Sequence, residues 1–510
     1  MLVSLLYPAG FALTIIGIVF WFFVGDSAKA KIFKAMVFGG LGLYAVSVFG
    51  ADIAFSDKLE VMFRDLMIIA FAGLVFQFLA GKKSAFLIGF LFLMVGLLMY
   101  NKYVLQYALV APSVAVTDVQ LAADGELLVE LKDGADISVL EAILDQYDLQ
   151  TERAFFPKYA DETDLDDYYL INVPDSELGN LTEIKAAINA SEQIDWLEDN
   201  ETMTVAPLPG KKLPEINRKY GINDPGLEQL WGFQAMEMDQ LYDFLESSNI
   251  KPQKRALIAI LDTGVDAKHE DIQANFKSID DPSNDDPMGH GTHCAGIAGA
   301  VSNNGVGVAS YSRNNDYTQV TSVKVLNSYG MGTQQTIIKG ILRAADQGAD
   351  VISLSLGGRS NQSRQEAYRK AVKYANKRGA IVIAAAGNAN RNAKEFAPVN
   401  APGVIGVSAV DPELQRAVFS NYVNDLEMGI AAPGVNIYST IPDSKYATFN
   451  GTSMATPYVS GLVGLMKSIR PSITTKEAYQ LLQQNGKKTT NPKETGAFIY
   501  PVATIKAMVK

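Results

Sequence analysis

A chain of 510 residues is too long for one ordinary domain and predicts two or three folding units. Its net charge of -11, with no long basic run, excludes a nucleic-acid partner, because phosphate binding needs clustered Lys and Arg. The single cysteine, Cys294, excludes a disulfide within the chain, and His269, His290 and His293 are the only imidazoles on which chemistry can draw.

The N-terminal part consists of apolar runs broken by short charged loops, as expected for helices crossing a hydrocarbon core of about 30 Å. The runs are Leu2–Val24, Ala35–Phe55, Leu66–Ala80 and Ala85–Tyr100. A cleaved signal peptide does not fit the first run, since no Lys or Arg precedes it and further apolar runs follow. Lys29, Lys31 and Lys34 follow the first run and Lys82 and Lys83 the third, whereas Lys58 and Arg64 share a loop with Asp57, Glu60 and Asp65. By the preference of Lys and Arg for the cytoplasmic side, both ends of this module and all that follows lie outside the cytoplasm. Asp52 lies within the second run, where a carboxylate marks either a functional site or the membrane interface; Asp57 and Lys58 nearby favour the interface.

From Asp118 to Val205 the pattern is that of a small α+β unit of ferredoxin-like order. Leu127–Leu131 and Tyr168–Val173 read as strands, Ile137–Tyr147 and Leu181–Ala190 as helices, and Ile194–Leu197 and Met203–Val205 as closing strands. Pro207–Pro225, rich in proline and carrying Lys211 and Lys212, reads as an exposed linker. Beyond it, apolar runs at Ala256–Leu261, Val320–Leu326, Val351–Leu356, Ile381–Ala386 and Val404–Ala409 alternate with helical ones such as Gln334–Gln347 and Gln365–Lys377. That alternation predicts an α/β domain whose parallel sheet is covered by helices on both faces, with its site at the carboxyl ends of the strands.

Three motifs in this last region carry chemistry. Asp262 ends the first apolar strand and heads Asp262-Thr263-Gly264, a place from which an acid can orient a histidine. Gly289-His290-Gly291-Thr292-His293-Cys294 sets two histidines at helical spacing; a zinc pair is conceivable, but the neighbouring Glu and a further ligand of such sites are missing. Gly451-Thr452-Ser453-Met454-Ala455 precedes an apolar helix, so Ser453 stands at a helix N-terminus, which favours negative charge nearby.

In the order Asp, His, Ser these blocks closely resemble the subtilisin-like serine proteases over roughly Asn223 to Ala507. The resemblance implies an Asp262–His290–Ser453 triad, with Asn388 of Ala386-Gly387-Asn388 binding the oxyanion. It also implies a peptide held as an added strand between Ser355-Leu356-Gly357-Gly358 and the opposing Gly330-Met331-Gly332. Of the two histidines it selects His290 as the base and leaves His293 and Cys294 packed behind it. Apolar or aromatic residues are expected on the acyl side of the cut, with Phe396 near the pocket floor. No cofactor is required, and no catalytic metal; a structural calcium is the one metal the resemblance allows, since Asp271 matches a ligand position although the Asn303-Asn304-Gly305 loop is short for it.

Such proteases often carry a small domain that assists folding, inhibits the site and is then cut off; 118–206 resembles that prodomain, Trp196-Leu197-Glu198-Asp199 its closing segment. The expected organisation is a transmembrane module of about four helices at 1–111, a prodomain at 118–206, a linker at 207–225 and a catalytic domain at 226–510. Expected partners are peptide or protein substrates, the chain's own prodomain and the lipid bilayer. An inactive homologue acting as a binding module on a membrane anchor is the alternative.

Overall fold

A computed structural model describes residues 2–25, 29–49, 55–79, 86, 89–90, 93–94, 97, 121–122, 125–205, 208–209, 220–360 and 366–510. They fall into two compact units, Met1–Ala115 and Val116–Lys510.

Among its described residues the first unit has three long helices, α1 (Leu2–Val24), α2 (Ala30–Phe49) and α3 (Phe55–Leu79). Each holds a stretch long and apolar enough to cross a membrane: Tyr7–Val24, Ala30–Phe49 and Val61–Leu79. The fourth expected span, Ala85–Tyr100, lies largely outside the described residues, and so does Asp52. Asp57, Lys58, Glu60, Arg64 and Asp65, expected in a loop, are instead helical within α3. Charge excludes a segment from hydrocarbon but does not end a helix, and Asp65 has its own partners. Its buried carboxylate accepts from the hydroxyls of Tyr7 on α1 and Tyr44 on α2 and pairs with Arg64.

The second unit begins with a four-stranded antiparallel sheet made of β1 (Leu127–Leu131), β2 (Gln150–Arg153), β3 (Tyr168–Asn172) and β4 (Ile194–Asp199), in the order β2-β3-β1-β4. Helices α4 (Glu141–Gln146) and α5 (Leu181–Asn189) follow β1 and β3. Every residue of β1 is buried, which a one-sided sheet would not allow. Strand alternation explains it: Leu127, Val129 and Leu131 pack with Ile171, Ile184 and Ile188 in the small domain's own core. Leu128, Tyr168 and Leu170 face the other way and join the core of the large domain, where Glu130 pairs with Lys370.

Two short helices, α6 (Trp231–Met236) and α7 (Met238–Ser247), lead into the large domain. Its seven-stranded parallel sheet runs β18-β15-β14-β12-β10-β7-β8. The strands are β7 (Ala256–Asp262), β8 (Thr318–Lys324), β10 (Val351–Leu354), β12 (Ile381–Ala385), β14 (Val404–Val410), β15 (Gly429–Pro433) and β18 (Ala497–Phe498). Alternation again assigns two faces. Ile258, Ile260, Ile381 and Ile383 pack with α8 (His290–Gly299) and α11 (Thr452–Ile469). Ala259, Leu261, Ile352 and Val382 pack with α9 (Gln334–Asp346) and α10 (Glu366–Lys377). The five strands and two helices read from periodicity are present. Those the sequence did not disclose are β15 and β18 at one edge and the hairpin β16 (Ile437–Ile441) and β17 (Lys445–Asn450).

The last strand of the small domain is a correction. Met203–Val205, expected to close its sheet, instead belong with β5 (Thr202–Thr204), which pairs antiparallel with β9 (Met331–Thr333) of the large domain. The apolar alternation of Met203 and Val205 is real, but its partner surface belongs to the other domain. Glu198 and Asn200 bring the chain there by capping two helices of that domain. Glu198 accepts from the backbone N–H groups of Glu366 and Ala367, both at 3.0 Å, and Asn200 from that of Gln335 at 3.0 Å. Replacing Glu198 by Ala leaves two helix-end amides without an acceptor, a loss of about 1–3 kcal/mol. Hydrogen exchange at Glu366 and Ala367 is expected to quicken by about tenfold or more in Glu198→Ala; unchanged exchange would contradict the capping role.

Candidate active site

The site is assembled where strands of the parallel sheet end. β7 finishes at Asp262, whose carboxylate oxygen Oδ1 lies 2.7 Å from Nδ1 of His290, and both side chains are fully buried. His290 opens α8, and Gly291 lets this helix sit on the loop after Asp262: a Cβ there would come 2.0 Å from the Gly264 carbonyl oxygen. Asp286, which motif reading missed, fixes the approach. It accepts from the backbone N–H groups of Gly289 at 2.9 Å and Thr292 at 2.8 Å, and from the hydroxyls of Thr263 and Thr292, each at 2.7 Å. A carboxylate just ahead of a helix start is a capping signal, so Asp286 was open to recognition by that rule.

Burial opposes a charged imidazole, but the charge and hydrogen bond of Asp262, helped by the charge of Asp286, outweigh it and raise the pKa of His290 above its ordinary value. Its Nε2 is buried and has no hydrogen-bond partner among the described residues. His293, one turn on, differs. Burial first, and then the neighbouring His290, lower its pKa to about 3. Its ring stacks on Phe449 at 4.4 Å, and its Nε2 lies 3.1 Å from the Ala447 carbonyl oxygen. Cys294 is buried, its thiol pKa pushed well up by burial and by Asp262, and Sγ lies 3.5 Å from the Ser453 carbonyl oxygen. His269 is buried too, with Nε2 3.0 Å from the Lys445 carbonyl oxygen.

Ser453 lies in the first turn of α11, which runs buried beneath the sheet. Its hydroxyl donates to the carbonyl of Ser355 at 2.9 Å, while the Ser355 hydroxyl donates to the carbonyl of Ser453 at 2.8 Å. Asn388 follows β12. Its side-chain oxygen accepts from both the N–H and the hydroxyl of Thr452, each at 2.9 Å, which fixes the amide and leaves its NH2 group beside Gly451 and Ser453. Leu356 and Phe396 are buried, and Gly358 and Arg359 form β11 (Gly358–Arg359), paired with β13 (Phe396–Ala397). Gly330 and Gly332, expected to face a substrate, are already engaged. Met203 stands opposite Gly332, and Val205 donates its N–H to the Gly330 carbonyl at 2.9 Å.

Away from this cleft, Asp224 and Asp271 form a buried acidic pair. Asp224 accepts from the N–H groups of Asn303 at 2.7 Å and Asn304 at 3.0 Å, and Asp271 from that of Val308 at 2.7 Å. No ion pair holds either carboxylate among the described residues. Burial, with a contribution from the charge of Asp224, pushes the pKa of Asp271 up to about 8.

The model of the subtilase family matches residues 253–498. Thermitase of Thermoactinomyces vulgaris is 41% identical over 255 residues, 49% of this chain and 86% of that protein. A thermophilic serine proteinase of Bacillus sp. strain AK1 is 37% identical over 298 residues, 57% of this chain and 68% of that protein. Subtilisin DY of Bacillus licheniformis is 40% identical over 232 residues, 44% of this chain and 81% of that protein. A parallel sheet of this order with these matches makes the chain a member of the subtilase family, and its enzyme class is that of the serine endopeptidases.

The charge of Asp286 is one cause of the raised His290 pKa, so Asp286→Asn is expected to lower it. Titrating the imidazole by NMR should show the fall; a value unchanged or higher would contradict the assignment.

Proposed function

We propose that Asp262, His290 and Ser453 act as the catalytic triad and that Asn388 stabilises the oxyanion. The carrying observation is the buried 2.7 Å contact between Asp262 and His290, on a helix packed against the one that presents Ser453. Turning from the Ser355 carbonyl, the Ser453 hydroxyl gives its proton to Nε2 of His290 and attacks the scissile carbonyl. Asp262 holds the imidazole tautomer and stabilises the imidazolium. The oxyanion is met by the Asn388 NH2 group and the Ser453 N–H at the positive end of α11. His290 then protonates the leaving amine, and water releases the acyl group by the same steps reversed.

The rest of the chain fits a membrane-anchored precursor with domains at 1–111, 118–206, 207–225 and 226–510. The sheet order and helix positions of 127–199 support a ferredoxin-like prodomain, and β5 in the substrate groove supports its inhibitory role. The helices α1, α2 and α3 support a bilayer anchor, and Lys29, Lys31, Lys34, Lys82 and Lys83, on the cytoplasmic side by the preference of basic loops, support a catalytic domain outside the cytoplasm. A cut in the linker severs the protease from that anchor. Fractionating cells that express wild type, Ser453→Ala or His290→Ala tests this. Both variants should remain full-length in the membrane and lose peptidase activity by roughly 10⁶-fold, the size measured in subtilisin. Wild type should yield a C-terminal fragment of roughly 300 residues, near the top of the single-domain range. A full-length active wild type would contradict self-processing.

Two buried carboxylates without a cationic partner fit a divalent cation, and Asp224 and Asp271 would hold calcium in a structural role. The pKa of Asp271 is raised on folding, so without the ion its contribution to stability is fully present below the unfolded carboxylate range. That contribution is lost as the pH rises through about 8. A bound cation favours the ionised form and offsets the loss. In chelator the melting temperature should fall from about pH 5 to pH 8, and calcium should restore it mainly at the upper end; equal melting with and without calcium at both pH values would refute the site.

A further inference from the structure

Charge is divided unevenly along the chain. Residues 118–206 hold 23 Asp and Glu against 4 Lys and Arg, a net charge of -19, whereas residues 226–510 hold 25 against 28, a net charge of +3. Within the catalytic domain the basic excess is local. The segment 366–378, α10 and the residue after it, carries Arg369, Lys370, Lys373, Lys377 and Arg378 against Glu366.

The small domain meets that helix with carboxylates along its length. At the start of α10, Glu198 caps the free amides of Glu366 and Ala367. In the middle, Lys370 pairs with Glu130, both largely buried, and with Asp164 at 3.3 Å. At the far end Glu162 lies 4.0 Å from Lys377 and 3.7 Å from Arg378, whose guanidinium sits over the Tyr159 ring at 3.7 Å. Among the described residues, every ion pair between the two domains has its acid on the small domain and its base on α10 or just beyond it.

From this one-sided pairing, and resting on the inhibitory reading above, we infer that the small domain's hold on the catalytic domain is tuned by ionic strength, with α10 as its basic receptor: dilute salt keeps the processed domain bound and rising salt releases it.

The contacts divide by their response to salt. The apolar packing of Leu128, Tyr168 and Leu170 is not ionic, and the Glu130–Lys370 pair is too deep to be screened well, so these fix the docking register. The pairs of Glu162 are exposed, and each contributes little alone. What salt acts on is the field of a domain at -19 facing a basic helix. That field reaches about 10 Å at 0.1 M salt and about 3 Å at 1 M, and it works mainly by speeding recapture of the separated domain. Repulsion among the small domain's own acids is the same in the bound and the separated folded domain and drops out of the comparison.

The test uses the full-length, detergent-solubilised Ser453→Ala chain, with the recognition sequence of an unrelated endoprotease placed in the linker beyond β6 (Leu208–Pro209), which pairs with Phe449 and Asn450 of β17. After the cut, capture through an N-terminal tag measures how tightly the C-terminal fragment is held. The dissociation constant should rise at least ~10-fold between about 0.05 and 0.5 M NaCl. Lys377→Gln with Arg378→Gln, both at exposed positions, should bind more weakly at the lower salt and show a flatter dependence. Binding that stays constant or tightens as salt rises would overturn the inference, and so would equal salt slopes with and without these two changes. Reporter hydrolysis by the chain that keeps Ser453, cut in the same way, scores the inhibitory reading separately: activity that does not rise as the small domain is washed away refutes inhibition, whatever the binding shows.

Discussion

A buried acid and a buried imidazole, 2.7 Å apart, are tolerable only because each satisfies the other, and the site is organised around that contact. Asp262 is placed by the end of β7, His290 by the first turn of α8, and neither element alone would bring them together. Asp286 closes the gap by tying the loop after Asp262 to the start of α8 through Thr263, Gly289 and Thr292. The parallel sheet supplies rigidity, since its strands are covered on both faces and cannot shift without opening two cores. Against this frame Ser453 and Asn388 are set by Thr452, whose N–H and hydroxyl both hold the Asn388 oxygen.

The same alternation that builds the large sheet also joins the small domain to it. One face of β1 and β3 packs on helices of its own domain, and the other takes the place solvent would occupy, against α9 and α10. Glu198 and Asn200 then satisfy amides at the starts of those helices, so hydrophobic and polar terms agree on one docking geometry. From that anchor point only a few residues lead to the cleft, which explains why β5 reaches the groove in register with Gly332 and Gly330.

Much of this was legible in the sequence, for identifiable reasons. Continuous apolar runs such as Ala256–Leu261 carry a strong signal because both faces of a parallel sheet are buried, and they match the strands to within a few residues. The motifs around Asp262, His290 and Ser453 are local, so each could be placed on a strand end or helix start. What was not legible depends on partners distant in sequence. Met203 and Val205 alternate like any strand, and nothing in the pattern says that their partner is β9, more than a hundred residues on. The hairpin β16–β17 is half-exposed along one strand and lacks the continuous apolar run that marked the central strands. Asp65 read as a loop residue because charge suggested water, whereas Tyr7 and Tyr44 supply its hydrogen bonds in place of solvent.

In the proposed mechanism Ser453 is a nucleophile activated by His290 and shielded by residues 202–205 of its own chain. Titration with a serine-directed fluorophosphonate, followed by peptide mapping, addresses both parts at once. The processed fragment should take up label at Ser453 in stoichiometric amount, and the intact chain should take it up far more slowly. Folded fragment that remains unlabelled at Ser453, or intact chain that labels as fast as the fragment, would contradict the account.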